Sequence, residues 1–242
     1  MSINKIFCLG DGYAHGHIWP EWPQILQVLL PQYEIVTGTG IGAGNEFLTD
    51  QLLNFNCQNQ TVIFQWAQAN RFDKLLQDEQ WESLVKNDPV YHFNIESTRS
   101  GNWWLSSASQ DKKIQEYHDF FVQDQQAELR LKNQRILVEN YLQNQTCQYW
   151  FTSTQDQEFF CQIHNNSHLR GKEIQPHPIM HYYFVVECIK SALSLPIDLK
   201  LQQLVEKIIS QTTWIAYDPD REEIWKNICK EIDAKNRLII NK

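Results

Sequence analysis

The stretch Lys5-Ile6-Phe7-Cys8-Leu9-Gly10-Asp11-Gly12 decides the fold class. An apolar run that ends on a glycine-flanked acid is the pattern of a buried parallel strand running into a tight turn. Beyond it, Trp22, Ile25, Leu26, Leu29 and Leu30 recur at helical spacing until Pro31 stops them. Tyr33 to Thr37 reads as a second strand, which empties into Gly38-Thr39-Gly40-Ile41-Gly42-Ala43-Gly44-Asn45. Asn45 is placed to cap a helix carrying Phe47, Leu48, Leu52 and Leu53. Thr61-Val62-Ile63-Phe64-Gln65-Trp66 is a third strand by its β-branched and aromatic content. Strand, helix, strand, helix, strand at this spacing predicts an α/β protein, a flavodoxin-like three-layer α/β/α sandwich with a mainly parallel sheet. In such a sheet the ligand crevice lies at the carboxyl ends of the strands.

Between about Asp111 and Asn144 the chain is polar, with Ile114, Tyr117, Phe121, Leu129, Ile136, Leu137 and Tyr141 at helical intervals and no glycine or proline. This predicts one long helix or two stacked ones, a helical insertion over about 107–144. Cys147 to Phe151 reads as the next strand and Ile179 to Leu193 as a helix preceded by His177-Pro178. Two further amphipathic helices follow, one with Leu199, Leu201, Leu204, Val205 and Ile208, the other with Ile224, Trp225, Ile228 and Ile232. The expected domain is therefore residues 1–195, with a helical extension over 196–242 packed on it.

The composition excludes several functions. With 21 Lys and Arg against 29 Asp and Glu, the 242-residue chain carries a net charge of -8 and no basic cluster, which counts against nucleic acid. Arg130, Lys132 and Arg135 are interleaved with acids and read as a solvated helix face. No run approaches a membrane span, and Met1-Ser2-Ile3-Asn4-Lys5 leads into a strand instead of a signal peptide, so no membrane partner and a cytoplasmic location are expected. Cys8, Cys57, Cys147, Cys161, Cys188 and Cys229 form no CxxC pair and read as small buried hydrophobes.

Gly10-Asp11-Gly12-Tyr13-Ala14 with Trp19-Pro20 behind it, Gly42-Ala43-Gly44-Asn45 after the second strand, Trp66 with Arg71 after the third, and His177-Pro178 together resemble the SGNH/GDSL hydrolase family over residues 3–193. The likeness is nearest to its phage and cyanobacterial variants, which implies a phage-encoded or virion-associated protein. In that family the first strand ends in a Gly-Asp-Ser turn whose serine is the nucleophile, and a late His-Pro supplies the base. The resemblance implies hydrolysis of an acyl ester, a carbohydrate ester among the candidates. It makes His177 the general base, the Gly12 and Gly42 amides the oxyanion donors, and Asp11 and Asn70 further catalytic candidates. Tyr13, Asn45, Trp66 and Arg71 would line the substrate site, and no cofactor is implied.

The chain departs from the family at the decisive position. Gly12 stands where the serine belongs, Gln175 and Ile174 stand where the acid that orients the histidine belongs, and neither Gln68 nor Asn70 has the family's asparagine context. Three accounts stay open: an esterase whose water is activated by His177 or Asp11, a non-catalytic binding or assembly protein on the same fold, and a metal enzyme. The last would use His15, His17, His177 and His181, with Asp11 adding a carboxylate. The C-terminal helices are the surface expected to meet a second copy or a protein partner.

Blander readings stand beside these. Gly10-Asp11-Gly12 is also an ordinary tight turn. The glycines from 38 to 44 match neither a Walker loop nor a dinucleotide fingerprint. Trp103-Trp104 serves as a sugar platform or, more simply, as packing under a loop.

Overall fold

The computed structural model of the chain describes residues 4–11, 18–40, 42–69, 71, 73–77, 95–98, 100–105, 124–153, 178–211, 215–216 and 221–240. They form an α/β protein with a mostly parallel four-stranded sheet and about six helices. The chain divides into two compact units, one of Met1–Ile6, Gly16–Ile35 and Asp156–Lys242, the other of Phe7–His15 and Val36–Gln155.

The main sheet contains β1 (Lys5–Gly10), β3 (Glu34–Thr39), β4 (Thr61–Trp66) and β8 (Gln148–Ser153) in the order β3-β1-β4-β8. The Asn4 carbonyl accepts the Glu34 N–H at 3.1 Å, so β1 and β3 start side by side. Strands β4 and β8 run parallel from the pair Thr61 and Gln148 to the pair Trp66 and Ser153. Alternation along the strands puts Phe7, Leu9, Val62, Phe64, Trp66, Tyr149 and Phe151 in one apolar cluster. It is completed by Phe47, Leu48 and Leu52 of α2 (Asn45–Leu53) and by Ala127, Leu131, Val138 and Leu142 of α3 (Asp124–Gln143). Phe64 lies 4.2 Å from Trp66 between ring centres and meets Phe151 edge-on.

Helix α3 corrects the periodicity reading on which apolar residues face inward. Leu129, Ile136 and Leu137 are exposed, at 58%, 48% and 50%, while Ala127, Leu131, Val138 and Leu142 are buried. Both sets recur at helical spacing, and the small Ala127 hid the true stripe. The earlier part of the expected insertion, residues 107–123, lies outside the described residues.

The same unit holds a three-stranded antiparallel sheet that the sequence reading passed over as a loop. Its strands are β5 (Asp73–Leu76), β6 (Ile95–Thr98) and β7 (Gly101–Leu105), in the order β5-β7-β6. Thr98 pairs with Gly101, and Ser100 lies in the turn before Gly101. Ser100 Oγ donates to Asp50 Oδ1 at 2.6 Å and accepts from Asn54 Nδ2 at 2.7 Å, which pins that turn to the end of α2. Trp103, weighed above as a sugar platform, is buried on β7 and meets Phe47 edge-on at 6.1 Å.

In the other unit, α1 (Trp22–Leu29) starts with a capping box in which the Gln24 side chain accepts the Glu21 N–H. Gln27 fixes the route into β3, donating to the Tyr33 carbonyl and accepting the Ile35 N–H, each at 3.0 Å. Helix α4 runs from Pro178 through a π segment at Phe184–Ile189 and closes with Lys190–Leu193. It packs on α5 (Leu199–Gln211), where Tyr182 and Tyr183 converge on the carboxylate of Glu206. Strands β2 (Ile18–Trp19) and β9 (Ile215–Ala216) pair antiparallel, and α6 (Arg221–Ile240) packs against α5. Among the described residues, no helix is long and apolar enough to cross a membrane.

Candidate functional site

Parallel strands that start together finish together, so the residues following β1, β3 and β4 meet at one edge of the sheet. Asp11, just past β1, is fully buried. Its Oδ2 lies 2.9 Å from Nη1 of Arg71, which follows β4 and whose side chain is 19% exposed. The same Arg71 nitrogen donates to the Ala43 carbonyl after β3 at 3.2 Å. One guanidinium therefore ties the exits of three strands. That cation helps to offset the desolvation of Asp11.

The β3 exit is shaped by two glycines. Gly42 has φ +77, a conformation that glycine adopts without the steric cost borne by other residues. Gly44 is the N-cap of α2 and has no side chain with which to cap it. Asp73, at the start of β5, supplies the missing acceptors: its Oδ1 takes the Gly44 N–H at 2.9 Å and its Oδ2 the Phe47 N–H at 3.1 Å. A Cβ on Gly44 would sit 2.7 Å from Asp73 Oδ2, so the glycine and the carboxylate require each other. Burial pushes the Asp73 carboxyl up to about 7; the two amide bonds and Arg71 pull the other way, and Glu46 adds to the rise. Glu46 is itself raised by burial, opposed by Arg130 of α3 at 3.6 Å.

Asn45 is not the helix cap the sequence suggested. It is the first helical residue, and its side chain donates to the Ala67 carbonyl at 3.1 Å and accepts the Ala67 N–H at 3.0 Å. The cap role fell to Asp73, 28 residues on, because the β3 exit offers Gly44 where a short polar side chain would normally cap. Nor are the first amides of α2 open for a phosphate, since Asp73 already occupies those of Gly44 and Phe47.

Of the residues singled out by sequence, Asp11, Gly42, Asn45 and Arg71 are gathered at this edge. Trp66 ends β4 with its ring in the apolar cluster beneath, 3% exposed. Gly12, Tyr13, Asn70, His177, His15 and His17 lie outside the described residues. His181 is buried in the first turn of α4. Among the described residues, no group of three or more His, Cys, Asp and Glu is placed to hold a metal ion. Asp73 is the residue that sequence reasoning missed. The available signal was Gly44 itself, a helix start with no cap of its own.

Chemically, this edge offers one partly exposed guanidinium, that of Arg71. Asp11 is ion-paired with Arg71 through Oδ2 and fully buried, so its carboxylate faces no solvent from which to activate a water. Compared with known proteins, the chain matches no family model, no curated protein and no solved structure.

Proposed function

We propose that the chain is an SGNH-hydrolase-like protein on a flavodoxin-like three-layer scaffold, with its crevice at the exits of β1, β3 and β4. In chain order the four parallel-sheet strands lie 2-1-3-4, the arrangement of flavodoxin-like sheets, which supports the finer fold reading. The observation that carries the functional reading is the convergence of Asp11, Ala43 and Arg71, which brings together three of the turns that this family uses. An acyl ester, small or on a carbohydrate, would place its carbonyl oxygen near the Gly12 and Gly42 amides, with His177 as base. The protein would work in the cytoplasm or as part of a virion.

A second reading, a non-catalytic binding or assembly protein, is favoured by one observation. Gly12 has no side chain, and Asp11, the acid at that turn, is held in an ion pair. Turnover of short-chain p-nitrophenyl esters by the protein and by Gly12→Ser separates the two. Gain of His177-dependent turnover in the variant alone means a lapsed esterase, and turnover in both means an active one. Absence of turnover in both, with the fold intact, rules out the hydrolase frame.

A further inference from the structure

The carboxyl ends of β1 and β4 flank the place where the sheet's order reverses. With the strands in the order β3-β1-β4-β8, the chain leaves β1 for β3 on one side and comes back to β4 on the other. In open α/β sheets, ligands bind in the crevice outside such a reversal. Asp11 follows β1 and Arg71 follows β4, so their ion pair at 2.9 Å spans that point.

The two partners differ in access: Asp11 is fully buried, while 19% of the Arg71 side chain is exposed. Asp11 and the Ala43 carbonyl both bind Nη1 of Arg71, at 2.9 and 3.2 Å. Two bonds to one nitrogen fix the plane of a guanidinium, whose five donors lie on three nitrogens in a rigid fork. Ala43 is itself held. Its N–H closes a turn onto the Gly40 carbonyl at 3.1 Å, and the next two residues, Gly44 and Asn45, are bound by Asp73 and Ala67.

We propose that Arg71 anchors an oxyanion group, a carboxylate or a phosphate, carried by the ligand of this crevice, with Asp11 and Ala43 as its positioning residues. A guanidinium meets either group through two parallel N–H···O bonds, a match that the point charge of a lysine lacks. Because Asp11 already balances the charge of Arg71, the pull on a free anion is short-ranged, and selection comes from the shape of the fork and its preset orientation. Under the hydrolase reading this narrows the substrate to an acidic ester, such as an ester of a uronic acid or a half-ester of a dicarboxylic acid. The proposal takes the crevice from that reading but not the reaction.

Nitrogen-15 NMR of the arginine side chains in the full chain, titrated with glucuronate, inorganic phosphate and glucose, tests this. The Arg71 Nε signal should move saturably with glucuronate, phosphate or both and ignore glucose, and the arm that responds tells carboxylate from phosphate. Arg71→Lys keeps a cation beside Asp11 and should bind the responding anion at least about tenfold more weakly by calorimetry. If that variant does not fold, the titration of the unaltered protein decides alone. An Arg71 signal unmoved by both anions, an equal response to glucose, or undiminished binding in Arg71→Lys would each overturn the anchor. Ester turnover with a silent Arg71 sinks this proposal alone, whereas a saturable Arg71 response without turnover counts only against hydrolysis.

Discussion

Asn45 and Ala67 hold one another through both atoms of a side-chain amide, Nδ2 to the carbonyl at 3.1 Å and Oδ1 from the N–H at 3.0 Å. The start of α2 is fastened in this way to the exit of β4, and both backbone groups of Ala67 are satisfied by a single side chain. Asn45→Ala strands a buried donor and a buried acceptor together. The expected loss is about 2–5 kcal/mol, read from urea unfolding. Asn45→Asp keeps the acceptor and should fall between the two.

Arg71 and Asp11 form a second cross-strand tie, and here the asymmetry of buried charge sets the outcome. Arg71→Met leaves the fully buried Asp11 without its cation and should cost about 3–5 kcal/mol. Asp11→Asn combined with Arg71→Met should cost clearly less than the sum of the single changes, because the uncompensated charge is gone. A thermal-unfolding double-mutant cycle measures that coupling, and strict additivity would show that the ion pair is not the cause.

Gly44→Ala drives a methyl group into the Asp73 carboxylate and should destabilise by about 1–3 kcal/mol. The same substitution in an Asp73→Ala background should cost much less, since the colliding oxygen is absent. Comparison of urea midpoints for the four proteins separates this clash from the loss of glycine's flexibility, which would be the same in both backgrounds.

Tyr182 is fully buried, donates to the Gln202 carbonyl at 3.0 Å, and shares Glu206 with Tyr183. Burial first, and Glu206 second, push its phenol above the ordinary value. The folded protein therefore keeps Tyr182 neutral where the unfolded chain would ionise it, so this contribution is present below about pH 10 and is lost as pH rises beyond it. Phenolate absorbance should show Tyr182 ionising only with alkaline unfolding. Tyr182→Phe should cost about 1 kcal/mol near neutral pH and move the alkaline transition upward.

Much of the framework was legible because it depends on local pattern. Strand β4 falls on Thr61–Trp66 as its β-branched and aromatic residues indicate, and α1 ends at Leu29 just ahead of Pro31. What escaped was non-local. Asp73 looks unremarkable in the sequence, and its meaning lies in amides of Gly44 and Phe47 that only the folded chain brings to it. Strands β6 and β7 were missed because Gly101 and Asn102 lie in a Gly-Asn-rich segment, and Arg99-Ser100 between the two runs is not one of the residue pairs that signal a tight hairpin. In α3, two apolar series compete, and only contact with the sheet shows which one is buried.

The pairing of Thr61 with Gln148 has a kinetic meaning. Everything from β5 to the end of α3 lies between these two partners in the chain, and a parallel ladder gains nothing until that long loop has closed. The β6–β7 hairpin and α3 are assembled from near neighbours and can form early. The still longer loop closed by Ile18 and Ala216 aside, the zipping of β8 onto β4 is then expected to follow them. Until it happens, the aromatic edge of Phe64 and Trp66 is bare, and that is the interval in which the chain is most exposed to aggregation.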